Sequence, residues 1–82
     1  ELNEERRKEL VKQVRKQVED GKVAVRAIRR DAMEAIKKMK KDSVITEDEQ
    51  KTAETELQKV TDNHVKELDR IGADKEKEIM AV

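Results

Sequence analysis

The amino-acid sequence predicts an all-α fold, a long antiparallel hairpin of two helices, on three observations. Proline is absent and glycine occurs only twice among 82 residues, so little in the chain interrupts a helix. Lys, Arg and Glu, which favour helices, supply most of the 49% of residues that are charged. The apolar residues recur every three or four positions, a periodicity that a disordered segment would not show.

The first helix is predicted over about residues 4–41. Asn3 can cap its N-terminus, and Glu4 and Glu5 place negative charge in the first turn, where the helix dipole favours it. Lysines between positions 37 and 41 suit its C-terminus. Its apolar stripe, with Gly21 filling a gap, is expected to consist of Val11, Val14, Val18, Val25, Ile28, Ala32, Ala35 and Met39.

A turn is predicted at about residues 42–46, followed by a second helix at about 47–81. Thr46 and Glu49 have the spacing of a capping box, which marks a helix start. Because the connection is short, the two helices must lie antiparallel. The apolar stripe of the second helix is expected to consist of Ala53, Leu57, Val60, His64, Leu68, Ile71, Ile79 and Val82.

Two narrow apolar stripes without Phe, Tyr or Trp bury little area. Burial of apolar area stabilises the fold by about 25 cal/mol per Å², whereas ordering the chain costs roughly 1.5 kcal/mol of conformational entropy per residue. The two stripes alone are therefore expected to give a marginally stable hairpin. A third helix, a second copy of the chain or a bound surface is therefore expected to cover the seam. Gly21 and Gly72 lie inside the helices, where we expect them to admit a closely packed neighbour rather than to act as hinges.

Cations gather along one side of the first helix. Residues 1–42 hold 14 Lys and Arg against 9 Asp and Glu, whereas residues 43–82 hold 6 against 11. On a helical wheel, ten cations share an arc of about 120° beside the apolar stripe, with only Glu4 and Glu19 among them. The ten cations, called the basic arc below, are Lys8, Lys12, Arg15, Lys22, Arg26, Arg29, Arg30, Lys37, Lys40 and Lys41.

The basic arc has two interpretations, a solvated charged face and a binding surface for phosphates. The second is favoured because arginine, which grips phosphate bidentately, occupies the centre of the arc. The acids of the second helix are also expected to lie all around it, without a row on one face that could neutralise the cations. Without aromatic residues to stack on bases, structured RNA is the better match than a single strand. The predicted RNA-binding residues on the arc are Arg15, Lys22, Arg26, Arg29 and Arg30.

Arg7 lies on the register of the apolar stripe, one heptad before Val14. Its side chain either reaches solvent from the end of the bundle or contacts a partner there, and we count it as a sixth candidate for RNA binding. His64 falls in the predicted seam, where a packed histidine is favoured over a metal ligand because the chain has no cysteine and no second histidine.

Other classes of function find no support in the chain. There is no cysteine for a disulfide or a thiolate, no nucleophile paired with a base and no glycine-rich phosphate loop. We therefore expect no catalysis, no metal, no cofactor and no small-molecule substrate. The apolar runs are too short to cross a bilayer and the N-terminus has no signal-peptide pattern, so no membrane association is expected.

Several segments together resemble the ribosome recycling factor family: LNEERRKELVKQVRK, VAVRAIRRDA, ITEDE, LQKVTD and ADKEKEIM. The resemblance runs from Leu2 to Val82. It implies an L-shaped protein with a three-helix bundle and a β/α domain inserted after the first bundle helix. This chain corresponds to the second and third helices of that bundle. The first bundle helix and the inserted domain are expected to be missing, which would account for the uncovered seam.

The resemblance also implies a function. After termination, proteins of this family bind the large ribosomal subunit and, with elongation factor G and its GTP hydrolysis, split the ribosome. The bundle lies against large-subunit ribosomal RNA, and Arg7, Arg26, Arg29 and Arg30 match RNA-contacting positions of the family. Asn3 stands where threonine is usual, and Ala27 replaces a common asparagine. A bacterial cytoplasm is the expected location, with an organelle left open. The alternative is a structural coiled-coil hairpin whose seam pairs with another protein.

Overall fold

The computed structural model describes residues 3–81, and these form two helices. Helix α1 spans Glu4–Lys41 and helix α2 spans Glu47–Ala81. They pack antiparallel into a rod of 61 × 15 × 10 Å, and no strand occurs among residues 3–81. The all-α helical hairpin that the sequence predicts is confirmed. The first helix of the family's bundle and the inserted domain stay predictions.

Side-chain caps begin both helices. The Asn3 side chain accepts a hydrogen bond of 2.7 Å from the Arg6 backbone N–H, which satisfies one of the free donors at the start of α1. At α2, the Glu49 N–H donates to the Thr46 hydroxyl at 3.1 Å, and the Thr46 N–H donates to the Glu49 carboxylate at 3.0 Å. This reciprocal pair is the predicted capping box, and it places the start of α2 at Glu47.

A Schellman motif ends α1 and reverses the chain. The Val44 N–H donates to the Met39 carbonyl at 2.9 Å, and the Ser43 N–H donates to the Lys40 carbonyl at 3.1 Å. Ser43 takes the left-handed conformation that the motif requires, with φ of 61°, at a position where glycine is usual. The turn therefore stays short, and α2 returns along α1.

Two glycines bring the helices into close contact. A Cβ atom added to Gly72 would lie 2.7 Å from Val18 Cγ2, a distance that real Cβ atoms do not reach. At Gly21 the added atom would lie 3.3 Å from Leu68 Cδ1, which is tight but less severe. The expectation that the glycines admit a neighbouring helix is confirmed. The two glycines lie on opposite helices, and each receives a side chain from the other helix. Together these contacts fix the antiparallel register.

The helices face each other along a line that differs from the predicted stripes. Six positions expected in the seam are exposed, and in each case the next residue along the chain is covered instead, as with Arg29 in place of Ile28. The other nine predicted positions among residues 3–81 are covered as expected, so the contact line is displaced toward one edge of each predicted stripe. The seam assignment is therefore wrong at Ile28, Ala35, Met39, Val60, His64 and Ile71. Val82 lies outside the described residues.

This displacement of the contact line has a physical cause. Each helix carries apolar residues on two adjacent faces, and a pair of helices can cover only one face of each. The close contact uses the small residues Gly21, Gly72 and Thr61, so larger apolar side chains are left outside it. Ile28 is 68% exposed, and among residues 3–81 no hydrophobic residue is buried.

Apolar residues of both helices line a groove along one side of the hairpin, called the open groove below. Its lining residues are Val25, Ile28, Arg29, Leu57, Val60, Thr61 and His64. The sequence-based expectation that the hairpin alone cannot cover its apolar surface agrees with this arrangement.

Replacing Gly72 with Ala should destabilise the intact protein. The new methyl group meets Val18 Cγ2, and the stiff valine rotamer cannot move aside. Overpacking costs about 1–3 kcal/mol, which exceeds the gain of about 1 kcal/mol from replacing a helical glycine. We expect a net loss of up to about 2 kcal/mol in the free energy of unfolding, measured by urea denaturation.

Two further variants test this explanation. Gly21→Ala should change the free energy of unfolding little, because the atom nearest the new methyl group is at the flexible end of the Leu68 side chain. Adding Val18→Ala to Gly72→Ala should recover part of the loss, since it removes the clashing atom. A Gly72→Ala protein as stable as the wild type would show that the helices do not approach this closely.

Candidate nucleic-acid interface

The basic arc of α1 divides into two rows once α2 is in place. The inner row consists of Arg15, Lys22 and Arg29, which lie one heptad apart next to α2. On α2 an acidic row lies opposite, also at heptad spacing: Asp62, Asp69 and Glu76. Antiparallel helices in fixed register place such rows side by side, as charges at the edges of a coiled-coil seam do. The inner row therefore lies opposite acids of α2, and the cations further around α1 do not.

Lys22 is an enclosed cation of the inner row. Its ammonium lies 2.5 Å from Asp69 Oδ1 and 3.5 Å from Glu19 Oε1, and its side chain is only 15% exposed. The hydrogen bond to Asp69 raises the pKa of Lys22, and the negative charges of Asp69 and Glu19 act in the same direction. Two carboxylates thus share one ammonium group, which joins α1 to α2.

Arg15 also contacts α2, but it stays accessible. Its Nε donates to Glu76 Oε1 at 2.5 Å, while its side chain is 72% exposed. Among residues 3–81 its two terminal nitrogens donate no hydrogen bond. Together with Val14, Val18 and Gly72, the pair lines a shallow groove on this flank of the hairpin.

Arg29 is held by a neutral side chain. Its Nη1 donates to Gln58 Oε1 at 3.3 Å, and the Gln58 amide in turn donates to Asp62 Oδ1 at 2.9 Å. The third acid of the row therefore reaches its arginine only through an amide. Arg29 forms no ion pair within residues 3–81, so its charge is not neutralised by direct contact.

The outer row consists of the cations of the basic arc that lie further around α1, away from α2. Arg26 and Arg30 lie one helical turn apart, and both are exposed. In the part of the chain that the structure describes, neither forms an ion pair or a side-chain hydrogen bond, and the same holds for Lys8 and Lys12. The three arginines at the centre of the arc therefore form a cationic cluster, called the arginine cluster below: Arg26, Arg29 and Arg30.

Arg7 lies apart from this cluster, near the N-terminus of α1. It is half-buried, and its Nε is covered without a hydrogen-bond partner among residues 3–81. A covered guanidinium nitrogen is costly unless it is bonded. Of the six predicted RNA-binding residues, the structure thus groups Arg26, Arg29 and Arg30, pairs Arg15 and Lys22 with α2, and leaves Arg7 at one end of the rod.

Sequence reasoning missed the residues of α2 that contact the arc. The expectation that α2 offers no matching acidic row is wrong, because Asp62, Asp69 and Glu76 form one. Their spacing of seven residues was a signal, but it could be used only with the antiparallel register in hand. Gln58 carries no charge, so no pattern of charges could have pointed to its contact with Arg29.

Comparison with known proteins shows which family the chain belongs to. A sequence model described as ribosome recycling factor matches residues 1–80. The chain belongs to the ribosome recycling factor family. It is 60% identical over 82 residues to the ribosome-recycling factor of Clostridium acetobutylicum, covering 100% of this chain and 44% of that protein. It is 57% identical to the factors of Symbiobacterium thermophilum and Streptococcus pyogenes, in each case over 99% of this chain and 44% of the relative.

The chain thus spans less than half the length of these ribosome-recycling factors. Within residues 3–81, neither helix has an apolar stretch long enough to cross a membrane.

Replacing Asp69 with Asn should destabilise the protein at neutral pH, because Lys22 loses its principal anionic partner. Since Asp69 raises the pKa of Lys22 above 10.5, the stabilisation is fully present below pH 10.5 and is lost as the pH rises through the higher folded-state pKa. We expect the difference in unfolding free energy between wild type and Asp69→Asn to be steady at mildly alkaline pH and to vanish above the folded-state pKa. Urea denaturation across this range measures it.

Asp31→Asn is the matched control. Asp31 is an exposed acid on α1 that forms no ion pair within residues 3–81, so its replacement should change stability little at any of these pH values. A difference for Asp69→Asn that persists unchanged above the folded-state pKa would assign the effect to something other than Lys22.

Proposed function

We propose that this chain is a ribosome-contacting helical part of a ribosome recycling factor and that the arginine cluster binds phosphates of large-subunit ribosomal RNA. One observation carries the proposal. The cations of Arg26, Arg29 and Arg30 lack carboxylate partners within residues 3–81, although α2 supplies a row of acids that meets Arg15 and Lys22. Cations that no carboxylate of the described residues neutralises are placed for an external anion.

The chemistry of the cluster favours folded RNA. Arginine presents a planar fork of donors that matches a phosphate, and three arginines within two turns of α1 can meet neighbouring phosphates of one backbone. The chain has no aromatic side chain on which unpaired bases could stack. A rigid rod with cations along one flank suits a surface recognised by its shape and backbone.

The other predicted contacts take supporting places in this proposal. Lys8 and Lys12 extend the exposed positive surface toward the N-terminus of α1, and Arg7 offers a partly covered cation at that end. Lys22 contributes charge that Asp69 and Glu19 largely compensate. In the intact protein, the chain would act with elongation factor G to dissociate ribosomes after termination. It acts by docking and mechanical disruption, without a chemical step of its own.

The open groove receives a partner in the same proposal. The relatives are more than twice as long as this chain, and the groove presents apolar residues from both helices, including Ile28 and Val60. We assign it to the first helix of the family's bundle, from the part of the protein outside this chain. The alternative function, a structural hairpin that pairs with another protein, draws on the same groove and predicts that the arginine cluster is dispensable.

Replacing Arg26, Arg29 and Arg30 together with Ala should weaken binding of the intact protein to bacterial large ribosomal subunits by at least about tenfold at low salt. Each lost phosphate contact should also flatten the plot of log affinity against log salt concentration, by about 0.7–0.9 per contact. Equilibrium binding at several salt concentrations measures both quantities.

Lys16 and Lys38 provide the control, because both are exposed cations of α1 outside the basic arc. Their replacement by Ala removes positive charge without removing the proposed contacts, so affinity and salt dependence should stay close to wild type. If the triple variant binds with unchanged affinity and an unchanged salt dependence, the proposed RNA contact is wrong.

Replacing Ile28 with Asp should lower the unfolding free energy of the intact protein by about 3 kcal/mol or more if the bundle helix covers the groove, because an unpaired charge would be buried. Val23→Asp is the matched control. Val23 is 63% exposed, close to the 68% of Ile28, but it does not line the groove. Its replacement should change the unfolding free energy by less than about 0.5 kcal/mol. Equal, small effects of both substitutions in denaturation experiments would leave the groove free for another protein.

A further inference from the structure

Arg15 and Lys22 both contact acids of α2, but their donors are used differently. Lysine has three donors on one nitrogen, and the ammonium of Lys22 already faces Asp69 and Glu19. Arginine has five donors on three nitrogens, and Arg15 uses only Nε, which donates to Glu76. The terminal nitrogens that suit a bidentate phosphate contact thus stay unoccupied by residues 3–81.

Burial supports the same distinction. The Arg15 side chain is 72% exposed, whereas its partner Glu76 is 28% exposed. The carboxylate therefore lies largely within the hairpin surface, and the arginine lies over it. An arginine without a partner samples many rotamers and loses that conformational entropy when it binds. An arginine already held at Nε loses less conformational entropy on binding.

We propose that Glu76 is a positioning residue that holds the guanidinium of Arg15 for a phosphate of the bound RNA. This inference rests on the proposed RNA-binding function and adds to it a residue of α2 with negative charge. It assigns Glu76 a favourable role, although an acid beside an RNA surface would otherwise weaken binding by repulsion.

The position of Arg15 makes it a second point of contact. It lies eleven residues before Arg26 on α1, which is about 16 Å along the helix axis, and the two side chains project within about 20° of each other. Lys22, which lies between them, is enclosed by acids. The surface thus offers two separate phosphate contacts on one flank, an arrangement that suits the rigid backbone of a folded RNA.

A double-mutant cycle in the intact protein tests the inference, with bacterial large ribosomal subunits as the probe. Glu76→Ala should weaken binding about threefold to tenfold and should flatten the salt dependence by less than one phosphate contact. In an Arg15→Ala background, the same substitution should have no further effect, because there is no longer a guanidinium to position. A role of Glu76 in stability alone would not make its effect on the salt dependence conditional on Arg15.

Glu78→Ala is the matched control, since Glu78 is an exposed acid of α2 that pairs with Lys75 rather than with the arc. Its removal should leave affinity unchanged or slightly increased. If Glu76→Ala reduces the helix content, Glu76→Gln replaces it in the cycle, because the amide keeps the volume and a weaker acceptor. That variant should lose about twofold in affinity, again only when Arg15 is present.

The outcomes separate this inference from the proposed function. Affinity that is unchanged or higher in Glu76→Ala, or a loss that persists in the Arg15→Ala background, overturns the positioning role. If the Arg26, Arg29 and Arg30 variant still weakens binding in that case, the proposed function stands and only the role of Glu76 fails. If neither set of substitutions affects binding, the proposed function fails with it.

Discussion

The antiparallel register of α1 and α2 is the constraint on which the other features of the structure depend. Gly72 of α2 admits the Val18 side chain, and Gly21 of α1 admits the Leu68 side chain, so the two backbones approach closely at both glycines. A shift of either helix would bring a larger residue into these contacts and would cost packing energy. With the register set, the position of each charged side chain relative to the partner helix is also set. The same register leaves the open groove uncovered, with Arg29 among its lining residues.

The basic arc shows how this register converts a pattern of charges into a surface with distinct parts. Seen on α1 alone, ten cations share one arc and are equivalent apart from residue type. Beside α2, Lys22 becomes part of an ion-pair cluster, Arg15 keeps its outer donors, and Arg26 stays without an acidic partner among residues 3–81. Exposed ion pairs contribute little to stability. Their larger consequence here is to decide which cations can meet an external phosphate.

The open groove and the arginine cluster are two surfaces that lack a partner among residues 3–81. No hydrophobic residue is buried among residues 3–81, and the apolar side chains of Ile28 and Val60 are exposed in the groove. Arg26, Arg29 and Arg30 likewise have no acidic partner among residues 3–81. The family match and the shorter length of the chain relative to its relatives agree with both observations. In the proposed function, the groove belongs to the interior of the intact protein and the cluster to its contact with the ribosome.

The sequence by itself determined the local structure and the family. Asn3, Thr46 and Glu49 act through contacts within a few residues, so their caps could be predicted from spacing alone, as could the two helices between them. The grouping of Arg26, Arg29 and Arg30 was also predictable, because a helix places residues three and four apart on one side. Only the tertiary structure decided which face of each helix meets the other. Ile28 and Arg29 are neighbours about 100° apart on the helix, and helical periodicity alone does not determine which of them faces α2. That choice depends on the fit of small residues such as Gly72 against a partner more than fifty residues away in sequence, and the contacts of Lys22 with Asp69 and of Arg29 with Gln58 follow from it.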